Sequence, residues 1–292
     1  KITITKKYIL PEIYNKMGLD DSIEFDDDII SYIIEKYTYE PGVRKLKEIL
    51  FEIIGEINLK ILKEEDSEIS IPIKITKEEI KYKFLKERHE VRNKEIPIEP
   101  CIGTINGLWA NALGKGGIIP IETKWFYSNN FLDFKLTGMQ GDVMQESMGV
   151  AKTLATTLTV GTKMKTLINS TKTSKLQGIH IHCPEGAVPK DGPSAGTAIT
   201  VALYSLLNKK KIKNTIAITG EINLQGQVTA IGGLDLKILG GIKAGVTEFI
   251  YPKENNKDFK QFMEKFQDKE EVKNIVFHEV ESIHDVLKLV FV

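Results

Sequence analysis

Apolar residues are spaced differently in the two parts of this chain, and the change divides it into a helical first part and a mixed second part. Leu10-Pro11-Glu12-Ile13 suits a helix start, where the N–H that proline lacks costs little. Asp26, Asp27 and Asp28 precede Ile29, Ile30, Ile33 and Ile34, an acidic opening followed by helical spacing. After Pro41-Gly42, the residues Val43, Leu46, Ile49, Leu50, Ile53, Ile54 and Ile57 form another helical stripe. Between Glu68 and Ile75, isoleucine at every second position predicts a short strand, which Pro72 would confine to an edge. Thr76 to Glu79 reads as a capping box opening a last helix. Residues 87–102, charged and holding Pro97 and Pro100, are the predicted linker between a domain over 1–86 and one over 103–292.

Beyond Gly103 the pattern becomes short apolar strands, glycine turns and helices. Strands are predicted at Gly103–Ala112, Ile118–Thr123, Phe131–Leu136, Ile179–His182, Thr215–Thr219, Phe249–Tyr251 and Ile275–Val280. Helices are predicted at Asp142–Leu158, Pro193–Leu207, Leu234–Ala244 and Ile283–Leu289. Gly114-Lys115-Gly116-Gly117 reads as a hairpin turn. The expected fold is a small all-helical domain followed by an α+β, mixed α/β domain.

A length of 292 residues fits two domains better than one. Forty basic residues balance forty acidic ones, so there is no overall pull toward nucleic acid or anionic membrane. Cys101 and Cys183 make no disulfide framework, which fits a reducing compartment. No apolar run reaches the roughly 18 residues that cross a bilayer. The chain opens at Lys1 with neither Met nor a charged-then-apolar leader, as expected of a mature product or an excised fragment.

The strongest chemical signal is the string Pro184 to Gly196. Pro189, Gly192 and Pro193 punctuate a turn, and Ser194 follows at the first turn of a helix. Unpaired N–H groups and the positive dipole end at that point suit an oxyanion. A serine after proline is also a common helix cap. Downstream come Thr219-Gly220-Glu221, Gly226-Gln227-Val228 and Ile231-Gly232-Gly233-Leu234-Asp235-Leu236-Lys237. Lys237 falls near a helix start among apolar residues, where burial and dipole both favour a neutral amine. Thr219 is placed to hold that amine, although lysines on helices are mostly solvated charges.

His180 and His182 share a strand face beside Cys183, yet no CxxC or second His pair completes a metal set, so no metal is expected. A Ser–His–Asp triad from Ser194, His182 and Asp191 is a second arrangement the sequence allows. Lys209, Lys210, Lys211 and Lys213 form a basic run, either a phosphate-binding patch or a solvated helix end. Trp109, Trp125, Phe126 and Phe131 read as core or pocket-wall aromatics.

PKDGPSAG at 189–196, TGEI at 219–222, GQV at 226–228 and GGL-x-x-K ending at Lys237 resemble the proteolytic domain of the Lon family. Gly103 to Leu108, Leu136 to Ser147, His180 to Gly186 and Tyr251 to Asn255 are similar as well, so the resemblance spans 103–292. Tyr37 to Leu46 resembles the small helical lid of a Lon AAA+ module. The resemblance implies an ATP-dependent serine endopeptidase (endopeptidase La) with Ser194 and Lys237 as a dyad. Thr219, Asp191, Glu146 and His182 would support it, and Arg44 would sense nucleotide, a role its planar guanidinium suits.

By the same resemblance the substrates are unfolded or damaged polypeptides and the whole enzyme is a homo-hexamer. Its compartment would be the mitochondrial matrix or a bacterial-type cytoplasm. Peptide cleavage would need no cofactor. ATP and Mg would be bound mainly outside this chain, which has no G-x-x-x-x-G-K-[ST] loop. A fragment of a ring enzyme can also act chiefly as a binding and assembly module. Membrane attachment is not implied, nor is DNA binding indicated. Two departures stand out: Gly107-Leu108-Trp109-Ala110 where the family more often has Gly-Leu-Ala-Trp, and Asp235 where a lysine is usual.

Overall fold

A computed structural model describes residues 1–19, 22–38, 40, 42–63, 72–91, 94–112, 114–184 and 191–292. The chain forms two compact units, Lys1–Arg92 and Asn93–Val292.

In the first unit, helical structure begins earlier than the sequence suggests. Ile2–Ile4 and a π-helical Thr5–Ile9 run directly into α1 (Leu10–Met17), which Gly18 ends at φ 66°. Strand β1 (Ile23–Glu24) leads to α2 (Asp27–Tyr37) and α3 (Arg44–Leu62). Glu40 caps α3, its carboxylate accepting the N–H groups of Lys45 and Leu46, both at 2.9 Å. Ile29, Ile30 and Ile33 on α2 bury against Leu46, Ile49, Leu50, Ile53 and Ile54 on α3, the stripes expected from spacing. Ile33→Ala should cost this unit about 2–5 kcal/mol in urea unfolding followed by circular dichroism, because it empties a fully buried site.

Of the predicted strand at Glu68–Ile75, residues 68–71 lie outside the described residues, and β2 holds only Ile73–Lys74, paired in parallel with β1. Pro72 precedes β2 rather than interrupting it. The capping box at Thr76 and Glu79 forms, and a turn of helix there continues as π-helix through Phe84.

The second unit is built on a seven-stranded sheet of order β13-β12-β9-β4-β5-β7-β6. Its strands are β4 (Thr104–Ala110), β5 (Gly116–Phe126), β6 (Phe134–Thr137), β7 (Gly178–His182), β9 (Ile216–Ile218), β12 (Glu248–Pro252) and β13 (Val276–Val280). The short strands β3 (Cys101–Ile102), β8 (Lys211–Ile212), β10 (Glu221–Ile222) and β11 (Val228–Thr229) pair outside it. The sheet is mixed: β4, β9, β12 and β13 run parallel, while β5 is antiparallel to both β4 and β7. Alternation places Ile105, Ile121, Ile181 and Ile218 on one face, against α4 (Asp142–Leu158), α6 (Gly196–Asn208) and α10 (Ile283–Leu289). Leu108, Ile118, Ala217 and Phe249 face the other way, toward α7 (Leu234–Lys243) and α8 (Asn256–Phe266).

Three predictions are corrected here. The β4–β5 turn is closed by Asn111 and Lys115, while Gly116 and Gly117 already belong to β5. Helix α5 (Gly161–Ser174) was not predicted, since Met164, Leu167 and Ile168 are its only apolar side chains in a segment rich in Thr, Ser and Lys. Helix α8 was also missed, although Phe259, Phe262, Met263 and Phe266 carry helical spacing; α9 (Glu270–Lys273) follows it. No helix of the described residues is long and apolar enough to cross a membrane.

Candidate active site

Ser194 stands in a 3-10 turn, Pro193–Ala195, entered through Gly192 at φ 122° and followed by the nearly wholly buried α6. Its carbonyl accepts the N–H of Gly220 at 2.9 Å, which ties the turn to the end of β9. The free helix-start amides expected from sequence are partly used. Gly196 N–H closes the turn onto Pro193 O, and Thr197 N–H binds Gly220 O at 3.1 Å. Those two groups are unavailable to an oxyanion in this geometry, because each already has an acceptor. Residues 185–190 of the predicted motif lie outside the described residues.

Lys237 sits in the first turn of α7, beyond Gly233 at φ 68°, and is only 4 % exposed. Its Nζ donates to Thr219 Oγ1 at 3.2 Å, and Thr219 is fully buried. Thr219 Oγ1 also lies 3.5 Å from the Ser194 carbonyl, so one hydroxyl links the lysine to the serine's backbone. Burial pushes the Lys237 amine down to about 8, and burial alone accounts for it. At pH 7 that leaves about one amine in ten neutral, against roughly one in three thousand at the ordinary value. Among the described residues no hydrogen bond joins Ser194 Oγ to Lys237 Nζ.

What buries the amine is the approach of α7 to the sheet. A Cβ on Gly116 would overlap the carbonyl of Leu236, and one on Gly240 would overlap the backbone of Gly116 and Gly117. Two glycines therefore let helix and strand backbones touch beside Lys237.

The remaining predicted residues fall in several places. Asp191 is exposed, but its Oδ1 accepts Met144 N–H at 3.0 Å and Gly192 N–H at 2.9 Å, joining the serine loop to the start of α4. Gly141 makes room for it, since a Cβ there would overlap the Asp191 carboxylate. His182 Nδ1 is bonded to Thr137 Oγ1 at 2.7 Å. Glu146 is exposed on α4 and forms no ion pair or side-chain hydrogen bond with another described residue. Arg44 opens α3 in the first unit, its side chain 93 % exposed and paired with Glu48 at 3.6 Å.

Half of the basic run is already engaged. Lys213 pairs with Glu248 at 3.2 Å, and Lys210 lies over the rings of Tyr204 and Phe291. No group of three or more His, Cys, Asp and Glu side chains able to hold a metal occurs among the described residues. Of the aromatics, Trp109, Trp125 and Phe131 pack on the core that carries α6. Sequence reading passed over Ser147, 7 % exposed, whose hydroxyl donates to Pro193 O at 3.4 Å. Its signal was a serine on the buried face of α4, in line with Met144, Met148 and Ala151.

The architecture is that of a helical lid domain followed by a mixed α/β proteolytic domain. Comparison with known proteins makes it specific: a family model described as the Lon protease (S16) C-terminal proteolytic domain matches residues 74–292, and a Lon protease AAA+ ATPase lid domain model matches 15–69. The chain belongs to the Lon protease family. The proteolytic model begins inside the first compact unit, at Lys74 of β2. A Lon protease of Clostridium acetobutylicum is 38% identical over 97% of this chain and 35% of its own length. A Lon protease homolog of Acanthamoeba polyphaga mimivirus is 34% identical over 98% and 33%, and a Lon protease of Dictyoglomus thermophilum 36% over 99% and 34%. The chain thus spans about a third of the length of these curated relatives.

Proposed function

We propose that this chain is the peptide-cleaving part of a serine endopeptidase in which Ser194 is the nucleophile and Lys237 its general base. The observation that carries the reading is a lysine 4 % exposed, its amine lowered to about 8 and tethered to Thr219 at 3.2 Å. A neutral amine takes the proton from Ser194 Oγ as the oxygen attacks a substrate carbonyl. The acyl-enzyme so formed is then released by water. With the amides of Gly196 and Thr197 engaged, Gly192 N–H bound to Asp191 Oδ1 and Pro193 lacking an N–H, the developing oxyanion falls to the N–H groups of Asp191 and Ser194.

Thr219→Val tests the tether. It keeps the shape of the buried site and removes the hydroxyl, so kcat for a fluorogenic peptide should fall about 100-fold with KM little changed. Unchanged kcat would remove Thr219 from the arrangement. A Ser–His–Asp triad is less well supported, because His182 Nδ1 is bound to Thr137 and Asp191 Oδ1 to two backbone amides.

For the whole protein we propose, from membership of the family, ATP-dependent degradation of unfolded or damaged polypeptides by a hexameric ring. In it Arg44 would meet nucleotide phosphate, with ATP and Mg held mainly by the rest of the protein, in a reducing compartment. The Arg44 side chain, 93 % exposed and paired with Glu48, suits that part. Equilibrium sedimentation of the chain, with cleavage measured at each concentration, tests the ring: activity per mole should rise as copies associate.

A further inference from the structure

Thr137 ends β6, and two imidazoles converge on its hydroxyl: His180 Nε2 at 2.8 Å and His182 Nδ1 at 2.7 Å. A hydroxyl has one hydrogen to give, so it can donate to only one of these nitrogens and must accept from the other. His180 stands opposite Lys124 on β5 and Lys135 on β6, whereas His182 stands opposite Glu122. Positive neighbours disfavour a charged His180, and with both rings neutral the one hydroxyl satisfies both, donating to one nitrogen and accepting from the other. Burial first, then Lys135 and His182, lower the pKa of His180 accordingly. With both rings protonated, both become donors, the Thr137 hydrogen is stranded, and two cations stand with ring centroids 6.3 Å apart beside the two lysines.

The same residue governs the way to the serine loop. Thr137 O accepts Cys183 N–H at 3.0 Å and the Gln140 side-chain amide, and Gln140 O accepts Gln145 Nε2 at 2.9 Å. A few residues on, Met144 N–H holds Asp191, which holds Gly192, and Ser147 Oγ holds Pro193. We infer that Thr137, His180 and His182 form a positioning cluster that locks the β6–α4 connection, and through it Asp191 and Gly192, and that protonation of both imidazoles releases it. The effect on peptide cleavage rests on the Ser194 and Lys237 reading; the release itself does not.

The test separates the two. In the Ser194→Ala chain, imidazole titration and the exchange protection of the Met144 and Gly192 amides are followed by NMR as pH falls. Both amides should lose protection once both rings are protonated. Thr137→Val, which keeps the β-branched shape, should remove that protection already at pH 8, and Thr137→Ser should restore it. In the chain that retains Ser194, at pH 9, Thr137→Val should lower kcat about 10- to 100-fold with little change in KM, and Thr137→Ser should recover most of it. Full protection of both amides when both rings are protonated, or full protection of both amides in Thr137→Val, overturns the inference. If Thr137→Val does not fold, the pH series on the Ser194→Ala chain decides. If the chain cleaves no peptide, the exchange measurements still decide the cluster, and only the dyad reading fails.

Discussion

Replacing Ser194 by Ala is expected to lower kcat/KM for an unfolded peptide by about ten-thousand-fold or more and to abolish labelling by a serine-directed phosphonate. Lys237→Met should lower kcat/KM comparably, since an acyl-transfer nucleophile and its base act as a unit. The pH profile identifies the base. With the Lys237 amine at about 8, kcat/KM should rise close to tenfold per unit below that value and level off above it. The same group ties stability to pH. Folded, the amine loses its proton at about 8, and unfolded, near 10.5, so the unfolded chain binds the extra proton in between. Stability from this site therefore rises with pH from about 8 to 10.5, and below about 8 the folded chain bears the whole cost of a buried ammonium. Activity that survived Lys237→Met and was lost in His182→Asn would transfer the role of base to His182.

Gly240→Ala should produce a large loss of stability from a single methyl group. The added carbon overlaps the backbone of Gly116 and Gly117, and backbone cannot rotate away as a side chain can. A cost of about 3 kcal/mol or more is expected. By calorimetry that is a Tm lower by about 6–12 °C for a unit of this size. If α7 lifts from β5 instead, water reaches Lys237, its pKa returns toward 10.5, and the midpoint of the activity profile moves up with it. An unchanged Tm together with an unchanged midpoint would show that the helix needs no such approach.

Much of the frame was legible from spacing. Helices Asp142–Leu158 and Ile283–Leu289 lie at their predicted bounds, because a cap or turn marks each start and a regular apolar face fills each length. Helix α5 was not legible, as its many threonines and serines are poor helix formers with few apolar residues among them, and only in the folded chain do their hydroxyls bond the preceding turn. Ser194 and Lys237 could be singled out from the motifs around them, but not what surrounds them. That the Thr197 amide is already bonded to Gly220, or that Thr137 stands between two histidines, follows from segments 23 to 45 residues apart in sequence.

The sequence by itself determined which faces are apolar, where helices start, and which residue types stand at the motif positions, because these depend on neighbours within a turn or a pleat. Only the tertiary structure decided that β9 lies beside β4, that α7 touches β5 through two glycines, and that a lysine is thereby sealed from water. Burial sets the charge of that amine, and burial is a sum over segments far apart in the chain, so no local pattern records it.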